Sequence, residues 1–317
     1  MPIKGFICPL ERTEVDFDHF DHCTALRGRP AFPPWAASQM ARKVIEDVRH
    51  SGIELTATGT MGCPRQRFIN MTQDFHIDPT WRFGAERGTA LHSTAARYLS
   101  KEVWYSEATD PMRMDLRGRL WPGQFEEDGD VCTADGVRVS GLVDAIRRDM
   151  SEIADWKFPK DWSVRFRNKD GTAKPEHRVQ LNIARCLLAQ QQWAIDEGYD
   201  PDNVLLTIWD HALGSTDGPS PMDAAHMDPM DMLDMKTGPD SEYLIGEVIE
   251  QTLRDYVEWK ALQEAKASKE EIEKYCASIP CMGEAKFRGQ GCAKYCDCRT
   301  ESARLMRKYG RPEDLTK

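Results

Sequence analysis

Two short alternating runs joined by a tight turn, then a run with helical spacing and a third strand-like run, constrain this chain more than any other feature. Val137 to Arg147 (VRVSGLVDAIR) and Glu152 to Phe158 (EIADWKF) alternate apolar and polar residues, and Arg148-Asp149-Met150-Ser151 between them predicts a β-hairpin. From Val179 to Gly198 the apolar residues Leu181, Ala184, Leu187 and Leu188 recur at helical spacing, with Gly198 as the stop. Val204 to Trp209 then reads as a strand. Hairpin, helix and strand in that order predict an α/β core with helices on a mixed central sheet.

Side chains two apart on a strand share a face, so Ile153, Asp155 and Lys157 project one way and Ala154, Trp156 and Phe158 the other. A hairpin register can bring Asp144 beside Asp155, and two adjacent carboxylates repel unless a cation lies between them. Hard oxygen ligands favour Mg²⁺ or Mn²⁺. Such an ion makes a bound water more acidic and offsets charge building on a phosphate, with Lys157 nearby to assist, which suits phosphodiester hydrolysis. A D-x-K tripeptide by itself is more often a surface ion pair.

The tripeptide has company in a fixed order. The segments are Cys63-Pro64-Arg65 after Thr58-Gly59-Thr60, Gly88-Thr89-Ala90-Leu91-His92, Gly141-Leu142-Val143-Asp144, Asp155-Trp156-Lys157, and Gln180-Leu181-Asn182-Ile183-Ala184. Together they resemble the PD-(D/E)XK nuclease superfamily. Within it they are similar to the RecB-like branch, which includes CRISPR-associated and DNA-repair iron-sulfur exonucleases. The resemblance spans roughly residues 55 to 210 and the cysteine-rich C-terminus. It implies an α/β, restriction-endonuclease-like core with a mixed central sheet flanked by helices, and a C-terminal iron-sulfur staple. By resemblance, His92, Asp144 and Asp155 are metal ligands together with the backbone carbonyl of Trp156, Lys157 is the catalytic lysine, and Gln180 opens a helix lining the site. Where the family usually carries a tyrosine, this chain has Ala184. The implied activity is a Mg²⁺- or Mn²⁺-dependent deoxyribonuclease, an exonuclease more than an endonuclease, acting on DNA ends or single strands through a metal-activated water. The implied partners are DNA and a helicase, a recombinase or the CRISPR adaptation machinery, with phage recombination or repair as the setting.

Ten cysteines stand at 8, 23, 63, 132, 186, 276, 281, 292, 296 and 298. No apolar N-terminal signal segment and no run long enough to cross a membrane is evident, so a cytoplasmic, reducing setting is expected and clustered thiols point to metal. Cys292-x3-Cys296-x-Cys298 is dense enough for several thiolates to reach one centre. The resemblance implies a fourth ligand from ahead of the nuclease core, where Cys63 stands. The expected set around a [4Fe-4S] cluster is Cys63, Cys292, Cys296 and Cys298, with Cys281 as first substitute. Tetrahedral zinc is the alternative for four cysteines. Cys8, Cys23, Cys276 and Cys281 are a conceivable separate set, whereas Cys132, in a loop, and Cys186, in an apolar helix, read as buried thiols.

With 317 residues, 40% of them hydrophobic, the chain can bury a genuine core, and its formal charge of −10 excludes a protein that coats nucleic acid generally. Any DNA contact must be local. Lys160, Arg165, Arg167, Lys169, Lys174 and Arg178, interleaved with Trp162, Phe166 and His177, read either as a stretch that neutralises phosphates and stacks on bases or as a solvated loop. The expected organisation is an N-terminal extension (1–54) with a helix from Trp35 to His50, a nuclease core (55–213), a Met- and Asp-rich loop insertion (214–240), and a helical C-terminal region carrying the cysteine cluster (241–317). Two other function classes fit the same residues: a catalytically silent nucleic-acid-binding or recombination scaffold, and a zinc-binding protein.

Overall fold

Strands and helices interleave along the chain. In order they are β1 (Ile3–Ile7), β2 (Glu14–Asp16), β3 (Leu55–Thr56), α1 (Pro64–Thr72), β4 (Phe75–Ile77), α2 (Pro79–Tyr98), β5 (Trp104–Ser106), α3 (Pro111–Met114) and β6 (Asp115–Leu120). Then come β7 (Cys132–Thr133), β8 (Gly136–Leu142), β9 (Ala145–Arg147), β10 (Glu152–Lys157), α4 (Pro175–Leu188), α5 (Gln192–Asp196), β11 (Leu205–Asp210), β12 (Ser220–Asp223), α6 (Pro229–Leu233), α7 (Ile245–Glu264), α8 (Lys269–Ser278) and α9 (Arg299–Tyr309). The structure is a computed structural model that describes residues 3–8, 13–16, 55–77, 79–125, 131–158, 173–210, 220–237, 243–281 and 298–310. The helix expected over Trp35 to His50, the stretch 159–172, and Cys23, Cys292 and Cys296 lie outside those residues. The chain divides into two compact units, one of Met1–Gly52, Gly62–Arg87 and Arg254–Lys317, the other of Ile53–Met61 and Gly88–Leu253.

The second unit is a mixed α/β structure. One sheet has the order β12-β11-β10-β9-β5, and another has the order β3-β8-β6 with β7 added to β8. In the first, β10 and β11 run parallel and the other neighbours antiparallel. Helix α4 packs against β6, β8, β10 and β11. That position explains why Val179, Leu181, Ile183, Ala184, Leu187 and Leu188 are all buried: a helix covering strands of both sheets has almost no solvated face.

Four expectations are corrected here. The first alternating run is two strands, not one. β8 pairs with β6 as far as Leu142, the Val143 N–H then donates to the Met114 carbonyl, and the chain changes sheets at Asp144 before β9 pairs with β10. The hairpin proper is therefore β9 and β10, closed by Asp149, whose carboxylate accepts from the Ser151 N–H at 3.1 Å and the Ser151 hydroxyl at 2.5 Å. The helix begins at Pro175, four residues ahead of Val179, because proline suits the first helical position; it stops at Leu188 and a short α5 follows. After α4, the Gln190 and Gln191 amides bond to the backbone of β6 instead of continuing a helix. The insertion expected as a loop over 214–240 is ordered at 220–237. Ser220–Asp223 adds an edge strand to β11, where Pro221 is tolerated, and Asp228 caps α6 by accepting from Met230 N. Cys132, expected in a loop, is buried on β7.

The first unit holds the mixed sheet β2-β1-β4 with α1, α8 and α9 packed together. Arg65 on α1 is buried, and its guanidinium donates to the Ile279 carbonyl at 2.6 Å and the Ala277 carbonyl at 3.3 Å. It thus satisfies acceptors at the end of α8 that the helix itself leaves open. Glu273 of α8, also buried, takes Arg304 and Lys308 at 2.8 Å each and the Tyr309 hydroxyl at 2.9 Å, all from α9. No helix among the described residues is long and apolar enough to cross a membrane.

Candidate active site

β9 and β10 pair with Ile146 opposite Ile153 and Ala145 opposite Ala154, and Asp144 and Asp155 are the next residues on the two chains. At Asp144 the chain is bending out of β8, so Asp144 reaches β10 through its side chain. Its Oδ2 accepts the Trp156 backbone N–H at 2.8 Å, and its Oδ1 lies 3.0 Å from His92 Nδ1 on α2. Trp156 thus enters the site through a main-chain donor.

A second cluster lies at the same end of the pair. Lys157 Nζ lies 2.6 Å from Asp155 Oδ2 and donates to Gln180 Oε1 at 3.2 Å, while Gln180 Nε2 donates to Asp155 Oδ1 at 3.3 Å. One primary amide therefore serves both the acid and the ammonium, which its donor and acceptor ends allow. Gln180 holds this position from the second turn of α4 rather than from its first residue. Asp155 Oδ2 is buried, and its partner is the Lys157 ammonium. Burial pushes the Asp155 carboxyl up to about 6; the Lys157 ammonium opposes that rise and Asp144 adds to it.

Around this pair, Ala57, Gly141, Leu142, Val143, Leu181 and Ala184 line a small recess with Asp155 and Gln180. Among the described residues, no three His, Cys, Asp or Glu side chains are grouped so as to hold a metal ion. The carboxylates are instead turned toward His92 and Lys157.

Two residues near the site escape a reading of the chain alone. Strand alternation puts Phe158 on the face opposite Asp155, yet its ring stands edge-on to His92 with centroids 5.2 Å apart and planes at 77°. β10 ends at Lys157, so the pleat no longer dictates where Phe158 points. Asp210 is the rung partner of Lys157 across the parallel β10–β11 pair, and it is buried. An acid closing the run LLTIWD was the available signal.

In the first unit, Cys63 caps the start of α1 and its Sγ lies 3.8 Å from Cys281 Sγ. Cys298 precedes α9, with its Sγ 3.1 Å from Asn70 Oδ1 and 3.7 Å from the Gln66 carbonyl, both on α1. Three cysteines are thus arranged about one helix, and Cys281 is the one that approaches Cys63. Cys276 is buried within α8, and burial pushes its thiol up.

No family model matches this chain, and no curated protein is a significant match. A solved structure described as "Crystal structure of SSO0001" is similar to it at 16% identity and a TM-score of 0.41, covering 68% of this chain and 83% of that one.

Proposed function

We propose that this chain is a divalent-metal-dependent DNA nuclease of the PD-(D/E)XK superfamily, in the RecB-like branch, acting on DNA ends or single strands. The observation that carries the reading is the pairing of Asp144 with His92 and of Asp155 with Lys157 and Gln180 at one end of the β9–β10 pair. The two carboxylates are the donor type that Mg²⁺ or Mn²⁺ takes. His92 Nδ1 and Asp144 Oδ1 lie 3.0 Å apart, and one ion would take both as donors. The buried Asp155 carboxylate is held by the Lys157 ammonium, 2.6 Å from its Oδ2, and a metal ion would share that acid.

His92, Asp144 and Asp155 would hold the ion. When bound, it supplies Lewis-acid polarisation of a phosphoryl oxygen and a more acidic water. The protein's own groups do the rest. The Lys157 ammonium, steadied by Gln180, presents a charge-assisted donor where negative charge accumulates on the phosphate. The Trp156 N–H fixes the Asp144 carboxylate, so the acid does not have to be ordered when substrate arrives.

The cysteines about α1 are read as ligands of a structural [4Fe-4S] cluster, with Cys63, Cys281 and Cys298 the described members and Cys292 or Cys296 the fourth. A single zinc ion is the second reading. Zinc would take the Cys63 and Cys281 thiols, 3.8 Å apart, as thiolate ligands. Anaerobic purification separates the two: a cluster gives a brown protein with stoichiometric iron, and zinc gives a colourless one.

The activity is tested by incubating end-labelled single- and double-stranded DNA with Mg²⁺ or Mn²⁺ and comparing wild type with Asp155→Ala and Lys157→Ala. Each variant is expected to cut about a hundredfold more slowly or worse. Cleavage by both at the wild-type rate means that the site is misassigned. Uncut DNA with wild type under all these conditions favours the silent-scaffold reading.

A further inference from the structure

We infer that Phe158 is a positioning residue for His92, locking the plane of the imidazole so that the helix-borne nitrogen and the Asp144 carboxylate meet. This rests on the reading of His92 and Asp144 as members of one cation site.

The geometry is specific. His92 comes from α2, whereas the acids come from the β8–β9 bend and from β10, so the site depends on a helix and a sheet holding one relative position. The Asp144 contact at 3.0 Å fixes one imidazole atom. By itself it does not stop the ring from swinging off that contact and exchanging tautomers, because the last torsion of a histidine is broad and roughly two-fold. The Phe158 ring, edge-on at 5.2 Å and 77°, blocks that swing. An edge-to-face pair is directional, since the positive rim of one ring meets the negative face of the other. Phe158 also directly follows Lys157, so the strand that carries Asp155 and Lys157 itself delivers the ring that holds the imidazole. An aliphatic side chain of similar bulk fills the space but supplies no directional contact.

The test uses the full chain and two readouts. The first is Mn²⁺ affinity, followed by the electron paramagnetic resonance of free Mn²⁺, for wild type, Phe158→Leu and Phe158→Tyr. Phe158→Leu is expected to bind about three- to tenfold more weakly, the scale of one lost edge-to-face contact, and Phe158→Tyr to bind within about twofold of wild type. The second is the long-range ¹H–¹⁵N spectrum of the metal-free protein at pH 8. There wild type and Phe158→Tyr are expected to show two well-separated His92 ring-nitrogen resonances, and Phe158→Leu a pair drawn together by averaging.

Unchanged affinity and an unchanged spectrum in Phe158→Leu overturn the inference. So does a Tyr variant no better than Leu, or a Leu variant that only lowers the melting temperature while both readouts hold. If wild type binds no Mn²⁺, the cation reading fails, and the metal-free spectra still decide whether Phe158 orders His92.

Discussion

Asp144 Oδ2 accepts the Trp156 backbone N–H at 2.8 Å, so the acid that leaves β8 is fastened to the end of β10 by a main-chain bond. Asparagine retains a carbonyl oxygen for that N–H, and alanine does not. Asp144→Asn is expected to melt near wild type and to lose DNA cleavage. Asp144→Ala is expected to lose cleavage and about 1–2 kcal/mol of stability, the cost of a part-buried donor left unpaired. Urea melts and end-labelled DNA gels check both; an active Asp144→Asn enzyme removes Asp144 from the chemistry.

The Asp155 carboxyl titrates in the folded protein at about 6, above its ordinary 3.8, chiefly because of burial. A raised folded pKa contributes stability that is complete below the unfolded pKa and is lost as pH rises through the folded one. Without metal, wild type should therefore lose stability relative to Asp155→Asn between pH 4.5 and 7.5, by about 2 kcal/mol. Denaturation in EDTA at the two pH values measures it, and a gap that stays constant contradicts it. Cleavage by wild type should also fall as the pH is lowered, because protons compete with the cation for Asp155.

Asn182 is buried in α4. Its Nδ2 donates to the Arg178 carbonyl at 3.0 Å and the Ala225 carbonyl at 3.1 Å, and its Oδ1 accepts from Met227 N at 2.9 Å and Arg185 Nε at 3.2 Å. Asn182→Ala orphans several groups at once, and a loss of about 2–3 kcal/mol is expected in urea melts. Because α4 also carries Gln180, cleavage should fall with stability here, in contrast to Asp144→Asn.

In the first unit, burial alone would raise the Glu273 carboxyl, but hydrogen bonds from Lys308, Arg304 and Tyr309 hold it down at about 2. A depressed folded pKa means stability that is present above the unfolded value of 4.5 and lost as pH falls toward 2. Glu273→Gln should cost roughly 1.5–3 kcal/mol at pH 7, and the gap to wild type should close progressively below pH 4.5. A difference that does not vary with pH would show that packing, not charge, holds α8 to α9.

Cys281 and Cys276 stand on the same stretch of chain and are expected to behave differently. Cys281 faces Cys63 at 3.8 Å, whereas Cys276 is buried within α8. Cys281→Ser should lower bound iron or zinc by more than half relative to wild type, with Cys276→Ser retaining it; metal analysis of the purified proteins decides. Equal retention by both variants removes Cys281 from the ligand set.

The β9–β10 hairpin was legible because a two-residue period and a four-residue turn are local properties, and so was the grouping of Asp155 with Lys157 on one face. The β8–β9 break was not. VRVSGLVDAIR reads as one strand with slips at Leu142-Val143 and Ala145-Ile146, and the chain changes sheets where β6 begins, since Asp115, its first residue, is the partner of Leu142. The edge strand at Ser220–Asp223 was hidden for a related reason. Pro and Asp disfavour strands in general, yet an edge beside β11 accepts them because only one side of the strand has to be bonded.

By itself, the sequence determined which chemistry is available: two acids, a lysine, a histidine and a glutamine in an order that resembles one nuclease superfamily, with thiols enough for a metal. Tertiary structure alone decided how they pair. Asp144 takes His92 and the Trp156 N–H, Gln180 bridges Asp155 and Lys157, Phe158 turns onto His92, and Cys281 approaches Cys63. The reason is physical. Residue type and period fix what a side chain can donate, accept or ligate, but which groups come within 3 Å depends on contacts between elements far apart in the chain, where strand register and helix packing set the distances.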